Sequence, residues 1–89
     1  MKFMITYEMT YDTFEDRTSR FLETGGTPPA GIEMHGRWHS VSGARGWVLA
    51  STDDAQALYR WIGQWADLMH FEVDAVLDDE EAAQVLQES

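Results

Sequence analysis

The chain of 89 residues is long enough for one domain only, which we expect to span residues 1–89. Sixteen acidic residues against six basic ones give a net charge of −10, which disfavours nucleic acids and anionic membrane surfaces as partners. The sequence has no cysteine, so it can form neither a disulfide nor a thiolate metal site. Its small core must rest on aromatic rings, or a partner subunit must complete it.

The N-terminal segment predicts a cytoplasmic protein. It lacks the long apolar stretch and the cleavage site of a signal peptide. In addition, no apolar run in the chain approaches the ~18 residues that a transmembrane helix needs.

The first two elements are a strand and a helix. Apolar and polar residues alternate from Lys2 to Glu8, which is typical of a strand with one apolar face. A helix then begins near Thr10 or Asp12, where Asp12 and Glu15 have the spacing of a capping box.

This first helix has an apolar stripe and a charged outer side. Residues 25–26 are a glycine pair that ends the helix, and the segment 27–31 is an extended connector rich in proline and glycine. The predicted stripe contains Tyr11, Phe14, Thr18, Phe21 and Leu22. The predicted outer side contains Glu15, Asp16, Arg17 and Arg20.

A hairpin follows the connector. Residues 32–40 alternate again and predict a second strand, and residues 46–51 predict a third. A turn at Ser42 and Gly43 joins the two.

The second half of the chain predicts a second helix, a fourth strand and a C-terminal helix. Thr52 and Asp53 are the predicted cap of the second helix, with Gln56 at the capping-box position. Gly63 weakens this helix, so we expect a packing reason for it. Residues 69–77 predict a fourth strand, and Asp78 with Glu81 predicts a capped C-terminal helix.

This order of elements predicts an α+β, ferredoxin-like βαββαβ fold with an extra C-terminal helix. Right-handed crossovers then give a four-stranded antiparallel sheet of order 4-1-3-2, with both main helices on one face. If the strictly alternating apolar residues face the helices, the open face is polar and charged. The residues expected on it are Met4, Thr6, Glu8, Glu33, His35, Arg37, His39, His70, Glu72 and Asp74.

The open face favours a homodimer over a monomer. Two copies that meet through this face would close a barrel and enclose the polar residues around a cavity, and so small a chain gains from the extra burial.

Several segments together resemble a bacterial family of unknown function within the dimeric α+β-barrel superfamily. They are residues 1–7, 21–26, 36–39 (Gly-Arg-Trp-His), 52–54, 65–68, 71–73 and 76–81. The resemblance covers nearly the whole chain and implies the ferredoxin-like fold and a dimer. It implies no established activity, because the superfamily includes cofactor-free monooxygenases, isomerases, haem-binding proteins and ligand sensors.

The spacing of His35 and His39 raises the question of a metal site. On a helix this spacing would put both imidazoles on one face, but on a strand the two residues lie about 13 Å apart and cannot share an ion. We therefore expect no metal and no other cofactor.

Arg37 is the centre of the predicted site. A guanidinium enclosed in a cavity would bind a carboxylate of a small acidic or oxygenated molecule. We expect His39 and His35 to act on that ligand as acid or base, and Glu72 to orient the guanidinium. Trp38 would be a wall for the ligand, although strand tryptophans more often belong to the core. The alternative for Arg37 is a structural ion pair with Glu72 or Asp74 across the sheet.

Two functional classes follow from these residues. The first is a small-molecule binding protein, with or without slow cofactor-free isomerase or monooxygenase activity. The second is a protein-interaction or regulatory module without catalytic activity, which would bind its partner through the sheet face or the acidic C-terminal helix.

Overall fold

The computed structural model describes residues 1–88 and has the predicted α+β, ferredoxin-like arrangement. Its four strands form one antiparallel sheet of order β2-β3-β1-β4, as predicted. The strands are β1 (Lys2–Glu8), β2 (Glu33–His39), β3 (Arg45–Ser51) and β4 (His70–Val76). The helices are α1 (Phe14–Thr24), which follows a 3₁₀ turn (Tyr11–Thr13), α2 (Ala55–Gly63) and α3 (Asp79–Gln87). Among the described residues, no helix has the length and apolar character needed to cross a membrane.

The helical segment begins after Thr10, one of the two predicted positions, but the predicted capping box was wrong. The 3₁₀ turn occupies the position of the expected first helical turn, so Asp12 and Glu15 do not form a capping box. Thr13 is the N-cap and makes no capping hydrogen bond through its side chain. Instead, its hydroxyl donates to the carbonyl oxygen of Leu68 at 3.0 Å, which ties the start of α1 to the segment before β4.

The other two helices begin at side-chain caps. α2 begins one residue later than predicted, since the Asp54 carboxylate accepts from the backbone N–H groups of Gln56 and Ala57 at 3.0 and 3.1 Å. The capping box of Asp78 and Glu81 at the start of α3 is confirmed. An N-cap of this kind is worth about 1 kcal/mol.

The core lies between the sheet and α2. Ile5 and Val48 face this helix from the two central strands, and Leu58 and Trp61 meet them from α2. Burial of one such aliphatic side chain stabilises the fold by about 1.5–3 kcal/mol. By contrast, α1 has no buried residue. The sheet is therefore closely covered by α2 and loosely covered by α1.

A β-bulge at His35 changes the face that each later residue of β2 presents. Met34 pairs with Ala50 and Gly36 with Leu49, so His35 is an extra residue without a partner on β3. One extra residue reverses the alternation of a strand. The prediction that Arg37 and His39 lie on the open face, opposite Trp38, was therefore wrong.

The pairs beyond the bulge show the reversed assignment. Arg37 pairs with Val48 and faces the helices, as does His39 opposite Gly46. Trp38 pairs with Trp47 on the open face.

The C-terminal helix projects from the body of the domain. The radius of gyration is 14.8 Å, against about 12 Å for a compact domain of this length. No residue of α3 is buried, and the side chains of Val85 and Leu86 are exposed. Lys2 holds the start of this helix through ion pairs with Asp78 at 3.2 Å and Glu81 at 2.5 Å.

We expect Gly63→Ala to raise the free energy of unfolding by about 0.5–1 kcal/mol, because alanine is the better helix former. A Cβ atom at Gly63 would meet no atom within 4 Å, so the packing reason expected for this glycine was wrong. Gly43→Ala is the matched control, since its Cβ would also meet nothing, but its φ is +76°. It should destabilise by about 1–2 kcal/mol. Urea unfolding measures the free energy of unfolding of both variants. Equal changes in the two would show that backbone conformation does not distinguish the two glycines.

Candidate functional site

A cavity of about 320 Å³ lies between α1, α2 and the helix-covered face of the sheet. It exists because α1 covers the sheet loosely while α2 packs closely. Most of its wall is apolar and aromatic. The principal apolar lining residues are Ile5, Phe21, Val48, Trp61, Trp65 and Phe71.

His39 and Tyr7 form a polar pair in the wall of this cavity. The Tyr7 hydroxyl lies 3.4 Å from Nδ1 of His39, and the His39 ring meets Phe21 edge-on with the ring centres 5.7 Å apart. Burial raises the pKa of Tyr7, and the positive charge of Arg37 opposes this only in part. The phenol is therefore neutral at physiological pH and can donate a hydrogen bond to the imidazole or to a ligand.

Gly46 makes room for this pair. A Cβ atom on Gly46 would overlap the Tyr7 ring and hydroxyl, so only glycine lets the phenol lie across β3 towards His39 on β2. A glycine inside a strand often marks such a close approach.

Arg37 has a structural role that the sequence did not reveal. Its guanidinium donates to the carbonyl oxygens of Gly25 and Gly26 at 2.8 and 2.9 Å, and its Cζ lies 5.0 Å from the centre of the Phe21 ring. It thus binds the backbone at the C-terminal end of α1, where carbonyl groups lack helical partners. Gly26 has a φ of +59°, which favours glycine, and a Cβ atom there would lie 2.7 Å from Nη1 of Arg37, so a larger residue would also displace the guanidinium.

Glu72 does not orient Arg37. Glu72 pairs with Thr6 and lies on the open face of β4, whereas Arg37 faces the helices from β2. The two strands are the opposite edges of the sheet, about 14 Å apart. The alternative of an ion pair between Arg37 and Glu72 or Asp74 was wrong for the same reason.

Two more of the predicted site residues also lie outside the cavity. Nε2 of His35 lies 2.5 Å from the hydroxyl of Ser51 on the open face, opposite to the side that His39 faces. The indole of Trp38 lies over Gly36, also on the open face. Of the five residues predicted to form the site, the structure thus brings Arg37 and His39 to the cavity and separates the other three from it.

Arg17 lines the cavity although it was assigned to the outer side of α1. Its Nε atom is buried and has no hydrogen-bond partner, and its Cζ lies 4.9 Å from the centre of the Phe14 ring. A buried donor without a partner costs about 1–3 kcal/mol. The spacing of Phe14, Arg17 and Phe21 is that of one helical stripe and could have revealed this position.

The wall of the cavity is positively charged. Of the six basic residues of the chain, Arg17 and Arg37 turn their side chains to it, whereas Arg45 borders it but directs its side chain to the open face. Arg45 is paired with Glu8 at 2.9 Å. No acidic residue of the described chain lines the cavity, although the protein has sixteen. The cavity therefore favours negative charge within an otherwise acidic molecule.

We expect Gly46→Ala to destabilise the protein by about 1–3 kcal/mol, because the new methyl group displaces the Tyr7 ring. In a Tyr7→Val background the obstacle is gone, and the same substitution should cost less than about 0.5 kcal/mol. Urea unfolding of the four proteins gives this double-mutant cycle. An equal cost in both backgrounds would show that the glycine serves the strand backbone and not the phenol.

Comparison with known proteins gives a family but no activity. A search of curated proteins finds no significant match. A family model described as a domain of unknown function, DUF3303, matches residues 1–89, which is the entire sequence. The expected membership of a family of unknown function is thereby confirmed. The chain belongs to the DUF3303 family.

Proposed function

We propose that the protein is a cytoplasmic homodimer that binds a small acidic or oxygenated molecule in the cavity between its helices and sheet. The cavity itself is the observation that carries this proposal. Its volume of about 320 Å³ is within the range of small-molecule sites, which are mostly apolar with a few polar groups. Here those groups are the imidazole of His39, the phenol of Tyr7 and the guanidinium of Arg17.

His39 is the residue best placed to act on a bound ligand. It lies in the cavity wall beside the neutral phenol of Tyr7, and histidine serves as acid or base at neutral pH. Arg37 supports this role by holding Phe21 and the end of α1 against the His39 ring. His35 has no part in it, because it lies on the other face of the sheet.

A cavity-filling substitution tests ligand binding. Thr18 lines the cavity from α1, and Thr18→Phe would occupy its space, whereas Ser19→Phe would place the same ring on the exposed side of α1. We expect compounds from a library of small acids, alcohols and ketones to raise the melting temperature of the wild type and of Ser19→Phe. The same compounds should leave Thr18→Phe unchanged, since mass action stabilises only a fold that binds.

Two results would contradict the proposal. One is a library in which no compound shifts the melting temperature of the wild type. The other is an equal shift in both phenylalanine variants, which would place the binding elsewhere on the surface.

The open sheet face supports the homodimer. Part of this face is apolar, and Trp38 on the edge strand β2 is 55 % exposed there. The other apolar residues of this face are Met4, Trp47, Leu49 and Val76. Residues of both charges surround them, including Arg45, Glu8, Glu72 and Asp74. A self-complementary patch of this kind is what a twofold interface requires.

We expect the wild type to sediment as a dimer, at twice the mass of one chain, over a wide concentration range. Trp38→Arg would replace an exposed apolar ring of the interface with a charge and should give a monomer. Tyr59→Arg is the matched control, because Tyr59 is an exposed aromatic residue on α2, away from the sheet face, and it should remain dimeric. A monomeric wild type, or a dimer that survives Trp38→Arg, would exclude this interface.

A protein-interaction module is the second candidate function, and α3 is the observation that favours it. This helix exposes Val85 and Leu86, and none of its residues is buried within its own chain. If the wild type is monomeric, its open sheet face and α3 are both available to a different protein. A monomeric wild type would therefore favour this second candidate for the open face and α3, whereas the melting-temperature experiment decides whether the cavity binds a small molecule.

A further inference from the structure

We infer that the ligand is an amphipathic anion, a carboxylate carried by an apolar chain or ring, and that Arg17 binds its carboxylate. This inference rests on the proposed function and gives the chemical class of the ligand. It also assigns a binding residue that the sequence analysis placed on the outer side of α1.

The distribution of charged residues around the cavity indicates that the ligand is negatively charged. The side chains of two arginines, Arg17 and Arg37, meet one cavity of this acidic chain, and no acidic residue among residues 1–88 lines it. A solubility coat would not produce this separation, since it needs only surface charge. The cavity wall instead attracts an anion, and the acidic exterior repels it from other parts of the surface.

The hydrogen bonds select Arg17 among the three arginines that border the cavity. Arg45 is paired with Glu8, and Arg37 donates to two backbone carbonyl groups. Arg17 forms no ion pair with any residue of the described chain. Its buried Nε also has no acceptor. Its terminal nitrogens take part in no hydrogen bond or ion pair of the described residues, and a carboxylate can accept two parallel N–H bonds from one guanidinium.

The rest of the cavity wall indicates that the ligand, apart from its charged group, is apolar. Aromatic rings of Phe21, Trp61 and Trp65 line the cavity, and few polar groups accompany them. A small, fully polar anion such as acetate or phosphate would leave these rings without contact. A ligand with one charged end and an apolar remainder satisfies both parts of the wall.

Matched compounds that differ only in the head group test the inference. Two sets are suitable, namely decanoate, decanol and decylamine, and phenylbutyrate, phenylbutanol and phenylbutylamine. Calorimetry on the full chain, below the concentrations at which the compounds aggregate, measures each dissociation constant. We expect the wild type to bind each carboxylate at least about tenfold more tightly than its alcohol, and the amine more weakly still.

Substitutions of arginine residues test whether Arg17 is the residue that binds the carboxylate. Arg17→Met keeps the apolar stem and should bind the acid and the alcohol with equal affinity. Arg60→Met is the control, because it removes the same charge from an exposed position on α2 that does not line the cavity. This control should keep the preference of the wild type for the acid. Arg17→Lys keeps the charge without the planar donor pair and should retain only part of the preference.

The outcomes separate this inference from the proposed function. Equal binding of acid and alcohol to the wild type would overturn the anion class while leaving a small-molecule cavity in place. A preference that survives Arg17→Met would overturn the assignment of Arg17. If no compound of either set binds the wild type, the inference falls, and the library of small acids, alcohols and ketones decides the cavity proposal separately. The preference of the wild type is measured without any variant, so an unfolded Arg17→Met protein does not prevent the test.

Discussion

One extra residue in β2 decides which side chains of that strand meet the helices. Without the bulge at His35, strict alternation would put Trp38 under α1 and leave Arg37 and His39 on the open face. With it, the two polar residues face the helix-covered side and border the cavity, and the tryptophan faces the open side. The exchange places a large apolar ring on the open face and a guanidinium under a helix. Both the cavity and the proposed interface depend on this one change of register.

Two glycines make the polar residues of the cavity possible. Gly26 lets the Arg37 guanidinium approach the end of α1, and Gly46 lets the Tyr7 phenol cross β3 towards His39. In both cases a backbone without a side chain leaves space for a polar group near an apolar layer. The bound Arg37 then fixes Phe21, which meets the His39 ring. The geometry of the candidate site is therefore set by backbone contacts and not by ion pairs.

Much of the fold could be predicted from the sequence, but only part of the site, since Arg37 and His39 were predicted and Tyr7 and Arg17 were not. The alternation of apolar and polar residues predicted the four strands, because it follows from the geometry of a strand with one buried face. The handedness of crossover connections then predicted the order of the strands in the sheet. The faces assigned to the residues of β2 after His35 were wrong, because a bulge adds a residue without altering the composition of the strand. Gly36 was the available signal, since glycine inside a strand often marks a bulge. Arg17 was missed because charge was taken as evidence of exposure, although its spacing from Phe14 and Phe21 placed it on the inner stripe.

The two faces of the sheet contribute differently to the stability of so small a chain. The helix-covered face holds the core under α2 and leaves the space under α1 unfilled, which limits the stability that burial alone supplies. The open face and α3 expose the apolar surface that could offset this loss, but only by contact with a second chain. A ligand in the cavity and a partner on the open face would therefore stabilise the same fold from opposite sides. Since each binds only the folded chain, each should also strengthen the other when folding is marginal.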